Sequence, residues 1–416
     1  MLAGRDCVII SSIDWDFLWQ GPQEIASRLA LSGNRVLYVE NTGVRGPKLR
    51  DARRVACRLI NWTKALSQRG VRPVAPNLYV CSPLVLPPFG SQLDRELNRR
   101  VFLSLIRSAV ARLQMRDIVL ITFLPTDTVL DLTKLLHHRT KTVVYYCVAD
   151  FAELTAQPEQ LNQSEQELAV SSNLILAACS ALAAHCSKWA ENIHIIPYGV
   201  NLEVFSPANG TGSSRKVENQ DKGFELSRPI IGYIGGLHKY VDLALLSSMA
   251  RARPQWSWVF VGPEQMSIGQ FASIPNVYLL GEFKHQELAR HVETFDVGIV
   301  PYVQNAFTNT VVPTKINEYL AMGKPVVSTA LPAVTDHYRW PDIVLSCEPR
   351  HDSFIAGIEK ALLLPTDEAA KARRREIAAI SDWQARMDLI CNLIETSEAK
   401  SSTQFQTKFA HSGSKV

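Results

Sequence analysis

Apolar and polar positions alternate along this chain in two rhythms. Short runs of Val, Ile, Leu and Tyr are separated by longer stretches in which apolar residues recur every three or four positions. The short runs predict strands at residues 7–12, 35–39, 78–81, 118–122, 142–147, 174–177 and 193–196. A second set begins at 229–234 and continues at 258–261, 277–280, 297–301, 326–329 and 343–347. Helical spacing appears at 23–32, at 101–113 and from 353 to about 394, with a basic run at 371–375. Strands alternating with helices predict parallel sheets covered on both faces. The expected fold is α/β, with two Rossmann-like parallel-sheet domains facing a cleft and ligands at the strand C-termini. The expected domains are 1–205 and 228–380, joined by a polar, glycine-rich linker at 206–227. A C-terminal helix at 381–394 is expected to cross back to the first domain, followed by a flexible tail at 395–416.

One stretch departs from plain strand–helix grammar. VVPTKINEYLAMGKPVVS, residues 311–328, reads as loop, helix, tight turn and buried strand. Pro313 fits a first helical turn, where its missing N–H would have no partner. Ile316, Tyr319 and Leu320 recur at helical spacing, Gly323 suits the C-cap and Pro325 stops the helix. Lys315 falls in the first turn, where backbone N–H groups already favour an anion. A cation there predicts an anionic partner. Glu318 follows on about the same face, so lysine and carboxylate together suit a phosphorylated ligand with sugar hydroxyls.

Composition narrows the classes. The chain has 416 residues, 46% hydrophobic and 20% charged, an ordinary globular balance with room for two cores. A net charge of +4 does not argue for nucleic acid. No apolar run reaches the length of a membrane span, and MLAGRDCVIISS lacks the basic-then-apolar order of a signal peptide. Eight cysteines without a CxxC pair suit reduced, buried thiols, so a cytoplasmic protein is expected.

An ordered set of motifs then appears: WDFLWQGPQEIASRLALSGNRVLYVE, CSALAAHCSKWAENIHIIPYGVNLEVFSP, IIGYIGGLHKYVDLALL, VYLLGEFKHQEL, DVGIVPYV and PTKINEYLAMGKPVVST. In this order they resemble the retaining, nucleotide-sugar-dependent glycosyltransferases of the GT-B fold, family-4-type (glycosyl transferases group 1). The resemblance covers most of the chain. It implies a donor-binding second domain, an acceptor-side first domain, and a nucleoside diphosphate sugar as donor substrate without further cofactor. Gly235 and Gly236 follow the first strand of the second domain, where bare backbone can approach a diphosphate, and Lys239 stands just beyond. Lys239 reads equally well as a solvated lysine. The family carries an Arg and a Lys near here; this chain has only the Lys. Glu318 matches the second glutamate of the family's Glu-x7-Glu motif, which binds donor ribose hydroxyls, while Thr310 stands in place of the first. Asn309 and Thr314 are candidates for neutral hydrogen bonds to the same ligand, Glu282 and Phe283 for holding the base, and Lys315 for neutralising the leaving diphosphate.

In the first domain Asp14, Trp15 and Asp16 spell an Asp-x-Asp, a spacing that suits a divalent ion. The resemblance places the diphosphate in the other domain, so no metal is expected. Asp14, Trp15, Trp19 and Gln23 are assigned to the acceptor side, against plain packing of the tryptophans. Asp150 ends the strand TVVYYCVAD and reads either as an acceptor-orienting base or as the N-cap of the next helix. His185 and His194 read as structural. Between Arg45 and Arg72 basic residues crowd a helical apolar pattern containing Trp62, which suits either an anionic membrane surface or an ordinary core-facing helix. The combined expectation is a cytoplasmic, peripherally membrane-associated glycosyltransferase of surface-polysaccharide type. Its partners would be a nucleotide sugar and a glycan or lipid-linked acceptor. A sugar-nucleotide epimerase or hydrolase on the same fold, or a non-catalytic nucleotide-binding subunit, are the alternatives.

Overall fold

The computed structural model describes residues 2–40, 70–83, 92–155, 157–207 and 226–412. Most of the expected basic helix (45–72) and of the linker (206–227) lies outside the described residues. The chain forms two compact units, Met1–Ile196 with Met387–Val416, and Pro197–Arg386.

The first unit holds β1 (Asp6–Ser11), β2 (Arg35–Glu40), β3 (Arg72–Ala75), β4 (Leu78–Cys81), β5 (Ile118–Thr122), β6 (Thr140–Cys147), β7 (Leu174–Ala177) and β8 (Ile193–Ile195). Their order across the sheet is β3-β4-β2-β1-β5-β6-β7-β8. All neighbours are parallel except β3 and β4. β1 and β5 are buried along their whole length, as expected of parallel strands covered on both faces. The second unit holds β9 (Ile230–Ile234), β10 (Ser257–Val261), β11 (Val277–Gly281), β12 (Val297–Val300), β13 (Val326–Thr329) and β14 (Val344–Cys347). They form an all-parallel sheet in the order β11-β10-β9-β12-β13-β14. Both sheets are the α/β architecture expected from the alternation.

Each sheet has one place where successive connections run to opposite sides. In the first unit it lies between β1 and β5, because β2 and β4 are laid down on one flank of β1 and β5 onward on the other. In the second it lies between β9 and β12. Loops leaving the strand C-termini diverge there and open a crevice, the usual ligand position in such sheets.

The strand bounds agree with the apolar pattern to within two residues, but three features differ from expectation. β3 was not anticipated: it is an antiparallel edge strand whose residues alternate between half-buried and exposed, with Pro73 inside it. Such an edge carries little apolar signal. The helix expected at 101–113 runs Gln92–Arg112. Finally, the segment from 395 onward does not fray at once but continues the helix Trp383–Ser412. Its polar character has a tertiary cause. Glu398 accepts two hydrogen bonds from Arg5 (2.7 and 3.2 Å) and one from Thr142 (2.8 Å), and pairs with Lys141 at 2.8 Å. Ser397 donates to the Asn173 carbonyl at 2.9 Å. Burial raises the Glu398 carboxyl, but the bonds from Arg5, Lys141 and Thr142 outweigh it and bring it down to about 2.

The cysteines of the described residues are all free and buried. No helix among those residues is long and apolar enough to cross a membrane.

Candidate functional site

The crevice of the second unit is built from the divergence of β9 and β12. These strands pair only through Val297–Ile231 and Gly298–Gly232, then separate. Tyr319 props the gap. A Cβ on Gly298 would come within 2.5 Å of its ring, so only glycine admits the ring here. The Tyr319 hydroxyl accepts from the Ile234 N–H at 2.9 Å and donates to the Ile299 carbonyl at 3.4 Å. Backbone groups that would otherwise pair across the sheet are thereby satisfied by a side chain.

Lys315 opens the helix Lys315–Ala321 beside this gap. That helix starts two residues later than Pro313, so Pro313 lies in the preceding loop. With only seven residues its dipole is short, and the charge at the site is that of the ammonium itself. The Lys315 Nζ donates to the Tyr302 hydroxyl at 2.6 Å and lies 4.9 Å from the Tyr302 ring centroid and 5.2 Å from that of Tyr233. Tyr233 is in β9 and Tyr302 follows β12, so the ammonium sits at the switch point. Among the described residues Lys315 forms no ion pair. Gly323, in the left-handed region with φ 72, ends the helix as its sequence position suggested.

Gly235 and Gly236 make the turn after β9. Gly235 has φ 117, and its carbonyl packs under Gly262, where a Cβ would come within 2.1 Å of the Gly235 oxygen. A Cβ on Gly235 would lie 3.3 Å from the Lys315 Cε. Bare backbone and lysine stem therefore share one surface. Glu318 is half-buried one turn along the helix; burial raises its carboxyl, partly offset by His285 and Lys315. His238, two residues past Gly236, is pushed down to about 4 by burial and by the Lys315 charge, so it is neutral at pH 7. Its ring lies 5.6 Å from Tyr302.

The other donor-side candidates are placed as follows. Thr310 ends the one-turn helix Ala306–Asn309, and its hydroxyl donates to the Phe307 carbonyl at 2.8 Å. Asn309 keeps a buried Oδ1 without a hydrogen-bond partner among the described residues. Phe307 stacks on Tyr240 at 4.5 Å, tying this loop to the one after β9. Thr314 is the N-cap residue of the Lys315 helix but makes no side-chain capping bond. Lys239 is exposed, its ammonium over the Tyr240 ring at 4.7 Å, and it does not join the Lys315 cluster. Glu282 is exposed after β11, while Phe283 packs against His291 at 4.3 Å.

The crevice of the first unit has different chemistry. Asp14, in the loop after β1, and Glu40, the last residue of β2, are both buried. The Trp15 N–H donates to Glu40 at 2.7 Å. Burial raises the Glu40 carboxyl, against hydrogen bonds from Ser82 and Trp15. The Trp15 ring meets Tyr38 edge-on at 5.1 Å and Trp19 at 5.6 Å, and the Trp19 indole N–H donates to Glu24 at 2.6 Å. Gln23 is fully buried, donating to the Asp14 and Leu18 carbonyls and accepting from the Gln20 N–H, so it braces the loop. Asp16 pairs with Arg72 at 2.7 Å. Asp150 caps the short helix Phe151–Leu154, its carboxylate accepting from the Ala152 N–H at 3.1 Å.

Sequence reasoning missed Glu40, Tyr233, Tyr302 and His238. Each sits at or just past a strand end, the one signal that could have found it. His185 binds the buried Glu165 at 3.2 Å, and Tyr145 donates to the same carboxylate at 2.5 Å. Cys147 and Cys186 lie beside Glu165 in metal-ligand proximity, but Tyr145, His185 and the Cys147 thiol already account for its oxygens.

Residues 228–363 match the family model described as Glycosyl transferases group 1. The chain is 34% identical over 198 residues to the putative teichuronic acid biosynthesis glycosyltransferase TuaH of Bacillus subtilis. That match covers 46% of this chain and 48% of TuaH, so the chain spans about half the length of the curated relative. Among solved structures, a sucrose-phosphate synthase from Thermosynechococcus elongatus superposes with a TM-score of 0.71 at 15% identity, covering 95% of this chain and 100% of that one. HepE of Anabaena, in complex with UDP, superposes with a TM-score of 0.66 at 14% identity, covering 94% and 100%. At such identities the likeness shows the fold, which is that of the GT-B glycosyltransferases.

Proposed function

We propose that this chain, whose residues 228–363 form a glycosyl transferases group 1 domain, moves a sugar from a nucleoside diphosphate sugar to a hydroxyl of a glycan or glycolipid. The observation that carries the reading is Lys315. Its half-buried ammonium stands at the switch point of the second sheet, beside a glycine turn, with two tyrosines and no carboxylate within ion-pair distance among the described residues. A cation so placed needs an anion, and a diphosphate is the anion that such a crevice accommodates. The UDP bound to HepE supports a nucleotide as its carrier, and the teichuronic acid role given to TuaH supports a surface polysaccharide as the destination.

In this reading Lys315 stabilises the charge that develops on the departing diphosphate, an electrostatic contribution aimed at the transition state. Glu318, its carboxylate free of ion pairs among the described residues, accepts hydrogen bonds from the ribose hydroxyls. Trp15 and Trp19 of the first unit, with Asp14 and Glu40 in the same crevice, offer an indole face and carboxylate acceptors to a sugar acceptor. Transfer with retention, without a metal ion on the diphosphate, is the stereochemical and electrostatic form proposed. The basic residues between Arg45 and Arg72 would add contact with an anionic membrane surface.

The test is thermal unfolding of the purified protein with UDP, GDP, ADP or NAD, with and without EDTA. Ligand at ~100 times its dissociation constant adds about 2.7 kcal/mol. One nucleoside diphosphate is expected to stabilise the protein regardless of EDTA, and Lys315→Ala to abolish the shift. No shift with any nucleotide would defeat the reading. Turnover of the donor without acceptor would move it to hydrolysis or epimerisation.

A further inference from the structure

Lys315, Tyr302, Tyr233 and the Gly235–Gly236 turn are held together by a short series of contacts. The Lys315 ammonium donates to the Tyr302 hydroxyl at 2.6 Å and lies 5.2 Å from the centroid of the Tyr233 ring. The Tyr233 hydroxyl donates to the Gly236 carbonyl at 3.1 Å. An ammonium can only donate and a carbonyl can only accept, so the direction of both hydrogen bonds is fixed.

The cluster is also rigidly mounted. Tyr233 is fully buried within β9 and Tyr302 is 6% exposed. The Tyr302 carbonyl accepts from the Thr329 hydroxyl at 2.8 Å, which ties the loop after β12 to β13. A free lysine carries rotamer entropy, and holding its head before a ligand arrives removes part of that cost from binding.

We propose that Tyr302 and Tyr233 are positioning residues that lock the Lys315 ammonium to the Gly235–Gly236 turn, so that cation and bare backbone meet a diphosphate as one preformed unit. This rests on the nucleoside diphosphate reading above. The tyrosines need not touch the ligand; they act through Lys315 and the turn.

The experiment is calorimetric titration of the full chain with whichever of UDP, GDP or ADP the wild type binds, alongside its parent nucleoside. Tyr302→Phe keeps the ring and removes only the hydroxyl. It is expected to weaken the diphosphate about tenfold, leave nucleoside binding unchanged, and lose its effect when Lys315 is already Met. Tyr233→Phe keeps the ring beside the ammonium and removes the bond to Gly236, and is expected to act in the same direction by about threefold. Equal diphosphate affinity in wild type and Tyr302→Phe overturns the positioning role alone, as does an equal loss of nucleoside binding or a Tyr302→Phe effect that persists in Lys315→Met. Failure of the wild type to bind any nucleoside diphosphate overturns the functional reading and the positioning role with it.

Discussion

The two crevices share a topology and oppose each other in chemistry. In both units the first strand lies at the switch point, and the polar groups gather around its C-terminal end. In the second unit that place holds one ammonium, two tyrosines and a glycine turn. In the first it holds two buried carboxylates, Asp14 and Glu40, and an edge-to-face pair of tryptophans, with Glu40 on the Trp15 backbone N–H. Sheet order thus decides where a ligand sits, and the few residues just beyond the strand ends decide what sign of charge it meets. Cation with bare backbone suits a phosphate; indole with carboxylate suits a neutral polyol.

Breaking the cationic crevice is expected to have the largest effect. Lys315→Ala should lower kcat/KM for transfer about a thousandfold, or ~4 kcal/mol, and leave the melting temperature without nucleotide unchanged. Steady-state kinetics with a saturating acceptor measure it. A loss under tenfold would remove Lys315 from the chemistry.

The units should also separate in acid. Burial first, then neighbouring cations, push His238, His291 and His337 of the second unit down to about 4. Unfolded histidines titrate near 6.5, so between about pH 6.5 and 4 the unfolded state binds more protons and this unit loses stability as pH falls. The loss is about 3 kcal/mol in total after solvent screening. In the first unit Glu398 is depressed to about 2, so its ~1–2 kcal/mol is intact above about pH 4.5 and disappears only as pH falls toward 2. Hydrogen exchange resolved by segment is expected to show the second unit opening near pH 5 while the first stays protected. Simultaneous opening would erase the distinction.

Smaller effects sharpen the contrast of ligands. Trp15→Ala should raise the acceptor KM about tenfold, ~1.4 kcal/mol, without altering nucleoside diphosphate affinity. A change in donor affinity instead would deny the first crevice its acceptor role. Glu318→Gln should weaken the nucleoside diphosphate about fivefold, ~1 kcal/mol, and the 2′,3′-dideoxy analogue hardly at all. Equal weakening of both would place Glu318 away from the ribose.

The strands were legible because burial on both faces writes a continuous apolar run into the sequence, as in β5 and β13. The helix around Lys315 was legible for the same local reason, with Gly323 marking its end. Residues whose roles depend on distant partners were not. Asp150 reads in sequence as base or cap, and only the structure shows its carboxylate on the Ala152 N–H. Gln23 reads in sequence as an acceptor-side residue, and only the structure shows it buried and bonded to the Asp14 and Leu18 carbonyls.

By itself, then, the sequence determined the α/β alternation, the glycine turn after β9, and a lysine and glutamate on one short helix. These follow from period, propensity and nearest-neighbour spacing, all of which act over a few residues. Tertiary structure alone decided that Tyr233 and Tyr302 flank Lys315, that Tyr319 fills the gap between β9 and β12, and that Glu40 holds the Trp15 backbone. It also decided that Glu398 anchors a helical segment that composition marked as tail. Each of those contacts depends on the order of strands in a sheet, and strand order is set by packing among segments far apart in the chain.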